Sequence, residues 1–274
     1  MSRDGLAGRG ILGLPVRPSR PDGPVLAART GAGEAPRAAD SALRHPGVLC
    51  YNPVMSQTIA LFDLDNTILV GTSGVLYLRY LLRTPEAKWS KKLSASLQAA
   101  RYRFALLDYV AVSVKMVQSV SNSSEEAARQ VYQHFFDEVL AGRIAPRAAA
   151  RIAEHQAQGH RVAILSAATN YVVEPVAAAL GLEDVLCTRL EVVDGLFTGR
   201  VVEPACYGPG KVFYAREYAR EHGSDLSSAY FYSDSDVDLP LLELVGHPVA
   251  VNPDRRLTRV ARERGWPIEM FAQP

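Results

Sequence analysis

From residue 146 onward the chain alternates between two kinds of segment. Short apolar runs that end on polar residues are spaced by stretches of helical period. Residues 161–167, 229–233 and 248–251 read as strands. Residues 146–158, 172–180, 211–222 and 239–245 read as helices, the first ended by Gly159 and the second by Gly181. A run of the same kind, Ile59–Phe62, lies earlier and also ends in acids. Such alternation builds a parallel sheet with helices on both faces, because parallel neighbours need a crossover between them. Asp194-Gly195 at the centre of 190–202 predicts a hairpin. Between the first strand and the alternation, residues 75–140 read as helix only. The stretch 75–82 is strongly apolar, and 88–120 carries Leu93, Leu97, Phe104, Leu107, Val110, Val114 and Val117 at helical spacing. Ser121-Asn122-Ser123-Ser124 breaks the pattern. Glu125-Glu126 then opens a further helix that runs through 131–140.

The first 54 residues differ in kind. They hold eight Gly, seven Pro and seven Arg but no Lys and only four acids. A segment so poor in apolar surface cannot offset its ordering entropy, so 1–54 reads as a disordered tail. The alternative is a mis-assigned start, since Met55 leads straight into a strand. At 274 residues the chain is long enough for a core of ordinary size. A formal net charge of +1 argues against recruitment to nucleic acid by bulk charge. Three widely spaced cysteines, Cys50, Cys187 and Cys206, argue against a disulfide scaffold or a structural zinc site. No stretch approaches the ~18 apolar residues of a spanning helix, and no signal-peptide core is present. The expectation is therefore a cytoplasmic protein without stable membrane insertion.

Four short motifs carry chemistry, and each sits past a strand or opens a helix. That rim is where open α/β sheets bind ligands. Asp63-Leu64-Asp65-Asn66-Thr67 places two carboxylates two residues apart after an apolar strand. Adjacent anions are costly without a cation, and Mg²⁺ takes oxygen ligands; an acidic loop or Asx-turn is the plainer reading of this motif alone. Ser166, at the end of 161–167, offers a hydroxyl to an anion or serves as a plain helix cap. Lys211, after Gly208-Pro209-Gly210, reaches a phosphate or remains a solvated surface charge. Ser233-Asp234-Ser235-Asp236-Val237-Asp238 puts three acids in five residues, and it lacks the Gly and distal Glu of an EF-hand loop.

Taken in this order, the four motifs resemble the haloacid dehalogenase (HAD) superfamily, at Asp63/Asp65/Thr67, Ser166, Lys211 and Asp234/Asp238. The likeness spans 57–270 and is nearest to subfamily IB, the phosphoserine-phosphatase-like group, in Leu239-Pro240-Leu241-Leu242-Glu243 and in the segment that includes Asn252-Pro253-Asp254. The resemblance implies a HAD-like Rossmannoid parallel sheet over 55–74 and 141–274, with a C1-type helical cap over 75–140 inserted after the first strand. It implies a Mg²⁺-dependent phosphatase acting on a small phosphomonoester through an aspartyl-phosphate. Asp63 is then the nucleophile and Asp65 the acid and base. Asp63, the Asp65 carbonyl and Asp234 hold the metal. Thr67, Ser166 and Lys211 hold the phosphate, and Asp238 orients its neighbours. The acid at Asp65 separates phosphatases from the dehalogenases.

Thr72 departs from the pattern, because phosphoserine phosphatases carry a Glu there to grip the substrate amine. Val237 departs too, where they carry Asn. The cap aromatics Tyr77, Trp89, Tyr102, Phe104 and Tyr109, with Arg79, Arg101 and Arg103, leave a more apolar, lipid-derived phosphoester as the alternative substrate. A non-enzymatic receiver domain also combines acids, a hydroxyl and a Lys on a parallel sheet. The second acid of the first motif, the late acidic cluster and the helical insertion argue against it. The cap and the 190–202 hairpin together are expected to close over the site.

Overall fold

The computed structural model describes residues 57–83 and 121–272. The expected tail at 1–54 and the expected helix over 88–120, with Trp89, Arg101, Tyr102, Arg103, Phe104 and Tyr109, lie outside the described residues.

Seven strands form one sheet: β1 (Ile59–Phe62), β2 (Arg161–Thr169), β3 (Asp184–Val193), β4 (Leu196–Val202), β5 (Tyr230–Ser233), β6 (His247–Val251) and β7 (Ile268–Glu269). Their spatial order is β4-β3-β2-β1-β5-β6-β7. All neighbours are parallel except β3 and β4, which form the expected hairpin. Asp194 and Gly195 at its tip both have positive φ, 51° and 74°, as a turn that follows the twist of the strands requires. The first strand in sequence is thus central in space. It pairs with β2 on one side and β5 on the other, with Phe62 in register with both Ile164 and Tyr232. A strand covered on both faces has no polar side to show, and Ile59, Ala60, Leu61 and Phe62 are all fully buried.

Seven α-helices and a π-helical turn, with three short 3-10 turns at Ala141–Arg143, Leu226–Ser228 and Asp236–Asp238, make up the other regular elements of the described residues. In chain order the helices and the π-helical turn are α1 (Ser73–Arg83), α2 (Glu125–Phe135), the π-helical turn at Phe136–Leu140, α3 (Pro146–Ala157), α4 (Asn170–Ala179), α5 (Pro209–Glu221), α6 (Leu239–Leu242) and α7 (Arg255–Arg264). Ser124 caps α2 by accepting from the Ala127 amide, as the break before Glu125 predicts. The helix expected to run on through 131–140 instead widens at Phe136. The wider turn accompanies the burial of Phe135, Phe136 and Leu140 in the core. Neither α7 nor β7 is legible from the sequence pattern. Strongly charged α7 has few apolar residues to mark its period, and only Leu257 and Ala261 are buried.

Two cores flank the sheet, one containing Phe62, Ile164, Val173 and Phe135, the other Leu61, Phe231, Ala215 and Leu257. This is the α/β architecture expected. The first core contains an aromatic layer. Phe62 stacks on Tyr232 at 4.3 Å between ring centroids. The Tyr232 hydroxyl lies 2.8 Å from Nε2 of buried His155, and Nδ1 of that ring lies 2.8 Å from Nδ1 of His160. Among the described residues, no helix is long and apolar enough to cross a membrane.

Burial, with His160 and Arg151 nearby, lowers His155 from 6.5 to about 4. The unfolded chain therefore takes up this proton before the folded one does. His155 contributes stability that is complete above pH 6.5 and is lost as pH falls through about 4. Thermal melts across that window should show a shallower acid slope in His155→Gln than in the wild type. Equal slopes would remove His155 from the account.

Candidate active site

Each side chain of the four motifs is placed by the end of a secondary-structure element. β1 ends at Phe62, so Asp63 emerges at the carboxyl rim of the sheet, its amide donating to the Tyr232 carbonyl at 2.9 Å. Because Phe62 is registered with Tyr232, Ser233 and Asp234 leave β5 beside it. On the other side Ser166 lies two residues past Ile164, where the pairing of β2 with β3 shifts. Its hydroxyl accepts from the Ala168 amide at 3.1 Å. Ser166 is buried.

Lys211 enters from the first turn of α5. Gly210 lets this happen, since a Cβ there would lie 1.9 Å from the Ala205 carbonyl oxygen. The Lys211 ammonium donates to Asp63 Oδ1 at 2.5 Å and to Asp238 Oδ2 at 2.7 Å. All three residues are buried. Ser233 Oγ also donates to Asp238 Oδ2, at 2.6 Å. Lys211 is therefore an internal ammonium between two carboxylates, and the surface alternative for it falls away. Burial works to neutralise it, but Asp238 and Asp63 more than overcome this and raise its pKa.

The remaining acids have separate partners. Asp65 Oδ1 accepts from the Ser73 amide at the start of α1, at 2.8 Å. Asp234 Oδ2 accepts from Asn66 Nδ2 at 3.0 Å. Asp236 is turned away to the Arg256 guanidinium, at 2.9 Å. Thr67 is fully buried, and its hydroxyl makes no hydrogen bond among the described residues. A buried hydroxyl without a partner is costly unless a bound group supplies one. Ser233, Asn66 and the Ser73 amide are contacts the sequence reading did not identify. Asn66, between the two acids and Thr67, carried the most visible signal.

The electrostatics are unbalanced. Burial pushes the Asp63 carboxyl up to about 8, Asp238 and Asp234 push the same way, and Lys211 opposes them. Burial likewise raises Asp65, against the Ser73 hydrogen bonds. It pushes Asp234 up to about 6, against the hydrogen bond from Asn66. Asp63, Asp65, Asp234 and Asp238 thus share one buried ammonium. A hard divalent cation with oxygen ligands fits the charge that is left. Among the described residues no three acid, His or Cys side chains already form a cage. Mg²⁺ is usually held by one or two carboxylates, with water and substrate phosphate completing the shell.

The chain matches the haloacid dehalogenase-like hydrolase family over residues 60–243. It belongs to that family. It is 33% identical over 271 residues to a phosphoserine phosphatase of Mycobacterium tuberculosis, covering 97% of this chain and 85% of that protein. It is 31% identical over 220 residues to a histidinol-phosphatase of Neisseria meningitidis, covering 78% of this chain and 99% of that one. A crystal structure of a Bordetella pertussis protein of unknown function is 29% identical, with a TM-score of 0.71, covering 78% of this chain and 98% of its own. The chain is an enzyme of this haloacid dehalogenase-like family, and the relatives named as phosphatases span most of its length.

Two outcomes follow from the geometry. Gly210→Ala should destabilise the fold by about 1–3 kcal/mol in urea unfolding, because the clash is with backbone rather than a flexible side chain. Lys211→Met should cost roughly 3–5 kcal/mol above about pH 8, by leaving buried Asp63 and Asp238 without their cation. The sign with pH is fixed, since a raised carboxyl takes up its proton in the folded state first. Removing Lys211 lets the Asp63 carboxyl rise further still, so the loss should be greatest at alkaline pH and part of it should return as pH falls toward about 8. A variant equally destabilised at both ends of that range would contradict this account.

Proposed function

We propose that this hydrolase is a Mg²⁺-dependent phosphomonoesterase that works through an aspartyl-phosphate on Asp63. The observation that carries the reading is the buried Asp63–Lys211–Asp238 ladder at the rim of the central strand, with Asp65 and Asp234 on the loops beside it. Asp63, whose ionised form Lys211 favours against burial, attacks phosphorus as the carboxylate, and the ester oxygen leaves with a proton from Asp65, whose raised pKa suits an acid. Asp65 then takes a proton from water as the acyl phosphate is hydrolysed. Lys211 neutralises charge on the phosphoryl oxygens, and the Ser166 hydroxyl and the unpartnered Thr67 hydroxyl donate to the same group. Asp238 fixes Lys211 in place. Mg²⁺, held by Asp63, the Asp65 carbonyl and Asp234, would shield the carboxylate from the incoming phosphate.

Residues 75–140 act in this reading as a cap over the site, together with the β3–β4 hairpin. The substrate is a small phosphomonoester in the cytoplasm. The names of the relatives support phosphoserine and histidinol phosphate as first candidates. Thr72 is neutral and lies 3.5 Å from Asn66 Nδ2, so an acidic grip on a substrate amine is missing at that position.

The test is phosphate release from phosphoserine, histidinol phosphate, sugar phosphates, glycerol phosphates and lysophosphatidate, with Mg²⁺ and with EDTA. Turnover should require Mg²⁺ and should fall by several orders of magnitude in Asp63→Asn. Activity that survives the substitution, or that ignores EDTA, sinks the mechanism. A preference for lysophosphatidate would move the substrate to the lipid-derived class.

A further inference from the structure

The turn after β6, Asn252-Pro253-Asp254, stands outside the acids and lysine of the proposed mechanism, yet it touches both acidic loops. Asn252 Nδ2 donates to the Asn66 carbonyl at 2.5 Å. The other end of the same carboxamide, Oδ1, accepts from the Ala272 amide at 3.1 Å. Both ends of the group are therefore committed. A flipped carboxamide would set carbonyl against carbonyl and N–H against N–H. Two residues on, the Asp254 amide donates to the Asp234 carbonyl at 3.0 Å. Asp254 Oδ2 accepts from the Asp236 amide at 3.1 Å, while its Oδ1 caps α7 through Leu257 at 2.7 Å. The ring of contacts closes through Asn66, whose Nδ2 reaches Asp234 Oδ2 at 3.0 Å.

The backbone explains why Asn occupies both corners. Asn66 and Asn252 have φ of 54° and 44°. Few residues other than Gly accept that region, and Asn is among those that do. Glycine would satisfy the backbone but could not donate. Each corner requires a left-handed residue with a side-chain N–H.

The consequence concerns spacing. The loop of Asp63 and Asp65 and the loop of Asp234 are separated by most of the chain, and no covalent link sets the gap between them. Mg²⁺ requires near-ideal octahedral geometry at short distances, so an error in that gap is expensive. We propose that Asn252 is a positioning residue that fixes this gap, holding the first acidic loop against the second so that both face one cation. The inference rests on the metal-assisted reading above and goes beyond it, in assigning the spacing to a residue outside the ligand set.

The test uses the full chain stripped with EDTA, with Mg²⁺ binding followed by calorimetry in the wild type, Asn252→Gly and Asn252→Asp. Asn252→Gly keeps the backbone angle and removes the side chain. Asn252→Asp keeps the acceptor for Ala272 and sets an oxygen against the Asn66 carbonyl. Both should weaken Mg²⁺ binding by about 10-fold, the scale seen when groups that orient metal ligands are removed. Turnover lost at low Mg²⁺ should return as Mg²⁺ is raised.

The aspartate variant adds a negative charge near the site, so a simple charge effect would tighten binding instead. Tighter binding in Asn252→Asp overturns the proposal. So does unchanged Mg²⁺ affinity in both variants, whatever their melting temperatures, since that is the signature of a role in stability alone. Should Asn252→Gly fail to fold, Asn252→Asp decides by the same criteria. A wild type that binds no Mg²⁺ and ignores EDTA in turnover overturns the metal reading itself, and this inference with it.

Discussion

One ammonium held between two buried carboxylates organises the described part of this molecule. Lys211 reaches Asp63 and Asp238 from the first turn of a third element, so a single side chain joins the central strand, the loop after β5 and the start of α5. Burying a charge is expensive, and burying three is tolerable only when they are paired and hydrogen-bonded. The structure meets that condition with short contacts and with the Ser233 hydroxyl on Asp238. Gly210 makes the approach of α5 possible, and the central position of β1 brings the carboxylate to meet it.

The pairing is deliberately incomplete in charge. One lysine serves four acids, and burial, which it only partly offsets, pushes Asp63, Asp65 and Asp234 upward. A fold selected for stability alone would not keep carboxylates in this condition. Perturbed groups of this kind gather where chemistry is done. The three acids within 234–238 show how closely the surroundings sort like residues. Asp234 faces Asn66, Asp236 is drawn off by Arg256, and Asp238 takes the lysine. Identical side chains, two or four positions apart, thereby acquire different environments and different uses.

Support for the rim comes from below as well as from the loops. Phe62 and Tyr232 precede the two acidic motifs and lie face to face, 3° from parallel. Tyr232 is tied in turn to buried His155. The residues that carry charge are thus mounted on a stacked, hydrogen-bonded aromatic layer, which suits a site whose groups must not drift. The two-sided burial of β1 belongs to the same design, because a central strand cannot relax toward solvent.

The sequence by itself determined the element types over most of the described chain, the parallel sheet and the four motifs at its rim. Those signals are local: an apolar run that ends in acids, a Gly after a helical period, Asp-Gly in a hairpin. It could not reveal α7, whose period is masked by charge, or the widening of the chain at Phe136, which depends on neighbours distant in sequence. Asp63, Asp65, Ser166, Lys211, Asp234 and Asp238 were legible as candidates because their types and order are chemical. Their partners were not. That Lys211 is internal, that Asp236 is diverted to Arg256, and that Asn252 grips the Asn66 carbonyl are matters of tertiary structure alone. Hydrogen bonds and ion pairs act over a few ångströms, and only the folded sheet decides which distant residues come within that range.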